Sequence, residues 1–240
     1  VQRVVLEGDV GAAAFAGCAA LSMFLAGVLS PIVGAMADAN RNKRRWLART
    51  ALGGAAAGVL ISFVQPSATG VVLVLLVTMM VLFDLAMVPY NGFLQEISDE
   101  KTINRISAWG FALGYLGGAI PLALAGLMVW AGPACGLPTV GDQCRAGILL
   151  MGLWWGLFSL PAVFMLRDRG EAPRRQQRLW PAARAATREV LGTLRHVRRY
   201  PVIALFLAAY LFYNEGIQTV INQANTLALR DFKFSLLETI

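Results

Sequence analysis

The sequence predicts an all-α integral membrane protein with six transmembrane helices. Of its 240 residues, 57% are hydrophobic and 15% are charged, whereas charged residues make up about 25% of a typical soluble domain. The apolar residues fall into runs of about 20, the length that an α-helix needs to cross about 30 Å of hydrocarbon. These runs show no alternation of polar and apolar residues, which argues against transmembrane strands.

Six segments have the length and the apolar character of membrane spans. The second is the shortest and is rich in Ala and Gly. In the fourth, glycines recur every four residues at Gly110, Gly114 and Gly118, so that one helix face lets a neighbouring backbone approach closely. In chain order the predicted spans are Ala12–Ala37, Leu47–Val64, Val71–Glu96, Ser107–Trp130, Ala146–Met165 and Pro201–Asn222.

Basic residues predict the orientation of the spans. The loop after the first span carries four, the loop after the third carries two and the segment after the fifth carries ten, whereas the opposite side carries four. Loops rich in Lys and Arg stay in the cytoplasm. We therefore expect the three basic segments inside and both chain ends outside. The net charge of +7 then reflects membrane orientation and not nucleic-acid binding.

The segment 167–200 separates two groups of spans. Its second part places Val190 and Leu194 on one face, as in a helix that lies on the inner membrane surface; a solvated linker helix is the alternative. We expect an N-terminal transmembrane bundle over 1–166, a cytoplasmic linker over 167–200 and the start of a second bundle over 201–240.

Two acidic residues, Asp84 and Glu215, lie deep within apolar spans. A charge at the bilayer centre is costly, so such residues usually face a cavity or a partner on an ion or solute path. The alternative is a protonated acid in a structural hydrogen bond. We expect each acid either to carry a coupling proton or to bind a solute amine. The nearby polar residues that could contact a solute are Tyr90, Asn91, Gln95, Tyr213, Asn214 and Gln218.

The first cytoplasmic loop combines an acid with a basic cluster. Asp38 ends a span four residues after Gly34, and it can pair with a neighbouring helix and hold one conformation. Simple membrane anchoring by the positive charges is the alternative reading. The basic residues of this gating loop are Arg41, Lys43, Arg44 and Arg45.

Cys135 and Cys144 fall in one loop that the charge pattern assigns to the outside. Cysteines in an oxidising compartment can pair, so we expect a disulfide between them. We expect no metal site and no cofactor. The sequence contains no GxxxxGK[ST], HExxH or GxSxG motif, so it predicts neither an ATP-driven pump nor an enzyme.

Several motifs resemble known transporters. Gly34, Asp38 and the basic residues after them resemble the loop motif of the major facilitator superfamily, although Ala39 stands where Arg is usual and the motif's glycine is replaced within 40–42. Three longer stretches resemble the vacuole-effluxer family: PYNGFL at 89–94, RISAWGFALGYLGG at 105–118 and FYNEGIQTVI at 212–221.

This resemblance implies a protein of twelve helices in two six-helix bundles. The chain would hold helices two to seven and be part of a longer protein. Within the matching stretches, Tyr115 joins the residues expected to contact solute or to take part in coupling. The resemblance also implies transport, with amino-acid efflux as one activity, and a bacterial inner membrane is the location we expect.

The sequence thus predicts a secondary transporter that works by alternating access, with a binding site near the midplane. Its partners would be membrane lipid, a small solute and protons, while the oligomeric state stays open. Two other classes remain: a channel-like pore, which needs a continuous polar lining, and a membrane scaffold, which has no need for acids within its spans.

Overall fold

The computed structural model describes residues 8–65, 67–168 and 200–230, together with six isolated positions between 181 and 192. The described chain contains α-helices joined by short connections, and a 3₁₀ turn, Gly132–Cys135, leads from the fourth helix to the fifth. The all-α class is confirmed. The helices are α1 (Gly8–Ala39), α2 (Lys43–Phe63), α3 (Thr69–Ile97), α4 (Ile103–Ala131), α5 (Val140–Met165) and α6 (Pro201–Arg230).

Five of these helices, α1 to α5, are long and apolar enough to cross a membrane. Most extend a few residues beyond the predicted spans, because the polar residues that flank the apolar stretches continue the helix. Helix α6 has 30 residues, and Pro201–Asn214 is the apolar stretch within the part of it whose side chains the structure describes. The sixth span therefore stays a prediction.

Helix α2 lies at the centre of the first five. It packs against both α3 and α5, while α1 packs on α3 and α4 packs on α5. Its small residues explain this position, since they allow neighbouring backbones to come close. A Cβ atom on Gly152 of α5 would lie 2.9 Å from the backbone nitrogen of Val59 in α2. The Trp155 ring fills the space beside Gly54, where a Cβ would come within 2.2 Å of it.

The glycine stripe of α4 behaves differently. No described residue lies within 4 Å of the place where a Cβ would stand on Gly114 or Gly118, and at Gly110 only the Tyr90 hydroxyl comes that near, at 3.9 Å. Close approach of two helix backbones is therefore found between α2 and α5. It does not occur along the stripe of α4 within the described chain.

The chain divides into two compact units, Val1–Arg184 and Ala185–Ile240. Helices α1 to α5 belong to the first and α6 belongs to the second. The surface helix predicted within the segment 167–200 falls largely outside the described residues, and the domain boundaries stay predictions.

Candidate functional site

The loop predicted to act in gating is a tight helix-ending turn between α1 and α2. The backbone N–H of Asn42 donates to the carbonyl of Ala37 at 3.0 Å, and that of Arg41 donates to the carbonyl of Asp38 at 3.2 Å. This is the hydrogen-bond pattern of a Schellman motif, whose residue after the helix adopts the left-handed conformation. Arg41 occupies that position, with φ of +46°. The turn reverses the chain so that the end of α1 faces the start of α2.

An ion cluster forms at this turn. The Nζ of Lys43, the first residue of α2, lies 3.1 Å from an Asp38 oxygen and 2.8 Å from a Glu96 oxygen. The side chains of Lys43 and Glu96 are only 16% and 17% exposed, whereas that of Asp38 is 66% exposed. The lysine stem lies across Gly92 of α3, where a Cβ would stand 3.4 Å from Cε. One ammonium group thus ties together the ends of α1 and α3 and the start of α2.

Glu96 and Gly92 were not among the residues predicted from the sequence. A usable signal was present, because Glu96 is an acid at the end of the third predicted span, on the side assigned to the cytoplasm. Gly92 belongs to the PYNGFL stretch. A Cβ on this glycine would touch the flexible lysine stem at ordinary van der Waals distance, so alanine fits here and only a longer side chain would displace the lysine.

The other members of the predicted loop lie around the cluster. Gly34 packs on α3, where a Cβ would stand 3.4 Å from Val88. The backbone N–H of Arg44 donates to a carboxylate oxygen of Asp168 at 3.3 Å, so the residue beyond α5 caps the start of α2. These contacts place the ends of α1, α3 and α5 on one side of the bundle. That this side faces the cytoplasm stays a prediction. The remaining basic side chains are exposed: Arg41, Arg44 and Arg45.

Asp84 is half-buried in the middle of the bundle's height. It is the sixteenth of the 29 residues of α3, so about 22 Å of helix precede it. One turn before it, Met80 accepts a hydrogen bond from the Ser22 hydroxyl of α1 at 3.6 Å. One turn after it, Val88 meets Gly34 of α1. Asp84 therefore lies along the seam between α1 and α3, between two points of contact.

Two of the polar residues near Asp84 share its face of α3. Asn91 and Gln95 follow it by seven and eleven residues, which is close to whole turns of an α-helix. Asn91 is exposed, and so is Tyr90, whose hydroxyl approaches Gly110 of α4. Gln95 lies one turn beyond Asn91, towards the C-terminal end of α3. It lines an open depression with Ser98, Asp99, Glu100 and Ile103.

The remaining candidates lie on α4 and α6. Tyr115 is 80% exposed on α4. Tyr213 is exposed and Asn214 is half-buried on α6. Glu215 and Gln218 belong to the same helix, but their side chains lie outside what the structure describes.

Cys135 and Cys144 flank the loop that the charge pattern predicts to be external. Cys135 ends the 3₁₀ turn and is exposed, while Cys144 lies near the start of α5 and is half-buried. Both are free thiols in this structure, and their pairing stays a prediction. Intact-mass measurement of the full-length protein after thiol alkylation without reductant tests it.

Among the described residues, no group of three or more His, Cys, Asp or Glu side chains could hold a metal ion.

Comparison with known proteins shows clear similarity. The chain matches the family described as vacuole effluxer Atg22-like over residues 4–101 and 95–240. It is 30% identical over 210 residues to the uncharacterized MFS-type transporter YxiO of Bacillus subtilis, covering 86% of this chain and 48% of that protein. It is 33% identical over 132 residues to autophagy-related protein 22-1 of Aspergillus fumigatus, covering 52% of this chain and 21% of the relative. The chain thus spans about half the length of YxiO. No solved structure matches.

Proposed function

Because the chain belongs to the vacuole effluxer Atg22-like family, we propose that the protein is a secondary transporter that moves a small solute across a membrane by alternating access. The B. subtilis relative is named an MFS-type transporter, which supports this assignment. The helices α1 to α5 supply a multi-pass membrane bundle. We place the protein in a bacterial inner membrane and assign it no enzymatic activity.

The observation that carries the proposal is the position of Asp84. An ionisable side chain at the middle of a membrane helix costs about 2.5–3.5 kcal/mol or more unless it faces a cavity or a partner. Asp84 is half-buried beside a seam between two helices, where a solute or a proton could reach it. In an alternating-access transporter the solute site lies near the midplane. Asp84 fits either proton coupling or capture of the amine of an amino-acid-like solute.

The ion cluster supplies a gate for such a site. Lys43 joins the cytoplasmic ends of three helices, and a second link runs from the start of α2 to Asp168. We propose that the cytoplasmic side opens by movement of these helix ends away from one another, so that the cluster favours the state that is closed towards the cytoplasm. The acid on α6, Glu215, is proposed as a second coupling or binding residue, in agreement with the sequence alone.

Two other functions make different demands. A channel-like pore needs a continuous polar lining, whereas the half-buried acid at mid-height stands among apolar helix turns. A scaffold has no use for an acid at that depth. Transport by a gated midplane site accounts for both the acid and the cluster.

The experiment uses the full-length protein in proteoliposomes with a panel of radiolabelled amino acids, in the presence and absence of a proton gradient. Saturable uptake that accelerates when unlabelled solute is on the opposite side supports a transporter. Flux without that acceleration supports a pore. Absence of flux for the whole panel contradicts amino-acid transport, and the panel is then widened to sugars and organic acids.

Asp84→Asn separates the two roles of the acid. Loss of uphill transport with exchange retained assigns Asp84 to proton coupling, whereas weaker affinity in both modes assigns it to solute binding. The matched control is Thr78→Val, because Thr78 is an exposed residue of the same helix whose hydroxyl donates only to its own helix at Val74, 2.8 Å away. Transport unchanged by Asp84→Asn at every pH contradicts the site.

A further inference from the structure

A proline in the centre of α4 leaves one backbone carbonyl without its helical partner. In an α-helix the carbonyl of residue i accepts the N–H of residue i+4. Pro121 has no N–H, so it cannot donate to the carbonyl of Gly117. Hydrocarbon offers no water to replace the missing donor, and membrane helices therefore satisfy such carbonyls from neighbouring helices.

The replacement donor comes from α5. The indole Nε1 of Trp154 donates to the Gly117 carbonyl at 3.0 Å. The ring of Phe158, one turn later on α5, stacks on the indole with centroids 4.4 Å apart and planes 30° apart. This stacking fixes the orientation in which the indole N–H points at the carbonyl. Trp154 thus completes the hydrogen bonding of a helix to which it does not belong.

The bond lies where the packing of α4 changes. Gly117 is the fifteenth of the 29 residues of α4, near the bilayer centre. Beyond it the outer half packs on α5, as shown by Ala125, whose Cβ stands 3.7 Å from the Cβ position on Gly147. Before it the inner half is largely exposed, and Gly114 has no described neighbour within 4 Å of its Cβ position. Within the described chain, the proline-broken turn therefore separates a half of α4 that packs on α5 from a half with few described contacts.

We propose that Trp154 is a positioning residue whose indole N–H clamps the proline-broken turn of α4, and that release of this hydrogen bond allows the inner half of α4 to move. The clamp itself follows from geometry alone. Its part in opening the cytoplasmic side rests on the proposed alternating-access transport.

The consequence is a coupling between Trp154 and Pro121. Replacing Trp154 by Phe keeps most of the ring and removes the donor, which leaves the Gly117 carbonyl unpaired only while Pro121 is present. Replacing Pro121 by Ala restores the helical N–H and makes the indole bond dispensable. Trp154→Phe should therefore loosen the middle of α4 when Pro121 is present and have almost no effect on it in the Pro121→Ala protein.

Amide hydrogen exchange of the full-length protein in lipid nanodiscs measures this coupling. With Pro121 present, Trp154→Phe should raise exchange of amides 112–120 about threefold, the effect of a typical hydrogen bond between membrane helices. In the Pro121→Ala protein the same substitution should leave that exchange unchanged. Equal effects in the two backgrounds, or none in either, would show that the indole merely fills space and would overturn the clamp.

Trp155→Phe is the matched control. Its ring packs towards α2 and α3, beside Gly54 and against Phe83 with centroids 5.6 Å apart. Any effect of this substitution should be the same with Pro121 and with Pro121→Ala. If Trp154→Phe does not fold, solvent exchange of the Trp154 indole N–H in ¹⁵N-labelled wild type replaces it: this proton should exchange far more slowly than the indole N–H of the exposed Trp130. Equal exchange rates would contradict the clamp.

The movement has a separate readout. The inner half of α4 meets α3 where the Tyr90 hydroxyl approaches Gly110. In full-length protein without its native cysteines, the distance between spin labels attached at Tyr90→Cys and Gly110→Cys should become longer and more broadly distributed when Trp154→Phe is added. An unchanged distance distribution, with the exchange result as expected, would retain the clamp and refute the movement. Because neither readout uses solute flux, their failure is distinguishable from failure of the proposed transport.

Discussion

Replacing Glu96 by Gln removes the better shielded of the two carboxylates that hold Lys43. The two ion pairs are similar in length, 2.8 Å to Glu96 and 3.1 Å to Asp38. They differ in solvent access, because the Glu96 side chain is 17% exposed and the Asp38 side chain is 66% exposed. Solvent screens the second pair far more than the first. The structure therefore predicts unequal energies for two contacts made by one ammonium group.

The magnitudes follow from this shielding. An exposed ion pair contributes about 0.2–1 kcal/mol, which is the range expected for Asp38 with Lys43. Removing one partner of a fully buried pair costs about 3–5 kcal/mol, because the remaining charge is left without compensation. The pair of Lys43 with Glu96 lies between these limits. We expect Glu96→Gln to lower the free energy of unfolding by about 1–3 kcal/mol.

Double-mutant cycles measure the two pairs separately. Each acid is replaced by its amide in the full-length protein and in the Lys43→Met variant, which keeps an unbranched side chain across Gly92. Unfolding in detergent micelles should give a larger coupling for Glu96 than for Asp38. Added salt should reduce only the Asp38 coupling noticeably. Equal couplings, or a larger one for Asp38, would refute the argument from shielding.

Three further predictions concern the turns and the helix packing, and thermal or denaturant unfolding of the full-length protein tests each. Arg41→Gly should raise the free energy of unfolding by up to about 1 kcal/mol, because the left-handed conformation is strained for Arg and is readily adopted by Gly. A lower free energy of unfolding would refute the turn. Gly152→Ala should lower the free energy of unfolding by about 1–3 kcal/mol through its clash with the α2 backbone, while the control Gly118→Ala, where no described atom outside its own helix turn lies within 4 Å of the Cβ position, should not. Hydrogen bonds from Thr102 hold the pKa of the Asp99 carboxyl below its usual range. The stability due to this charge is complete at neutral pH and is lost as the pH falls through the lowered pKa. Asp99→Asn should therefore be less stable than the wild type at neutral pH and equal to it in strong acid.

The sequence predicted the membrane class and five helices because hydrocarbon imposes length and apolarity on every span. It also placed Asp38 and Lys43 in one gating loop, since both lie within six residues. The link to Glu96 could not be read from the sequence, because it joins residues 53 apart and depends on α2 packing against α3. The spacing of Gly110, Gly114 and Gly118 suggested close helix packing, but spacing alone does not say whether a neighbour is present.

Hydrogen bonds between helices were also beyond the sequence. Pro121 was visible as a missing donor, yet nothing in the order of residues pointed to Trp154 as the replacement. The left-handed Arg41 is a partial exception. The sequence showed that the motif's glycine is replaced. The structure shows that the turn is kept, with the backbone of Arg41 in the left-handed conformation.

We propose that the cytoplasmic ion cluster controls access to Asp84. Thiol labelling of Asp84→Cys measures this access in full-length protein that lacks its native cysteines, reconstituted in one orientation and treated with a membrane-impermeant reagent from either side. Adding Glu96→Gln should raise the rate of labelling from the cytoplasmic side and lower the rate from the outside, because a weakened gate shifts the population towards the inward-open state. Rates that rise together would indicate a pore, and rates that do not change would show that the cluster is only an anchor.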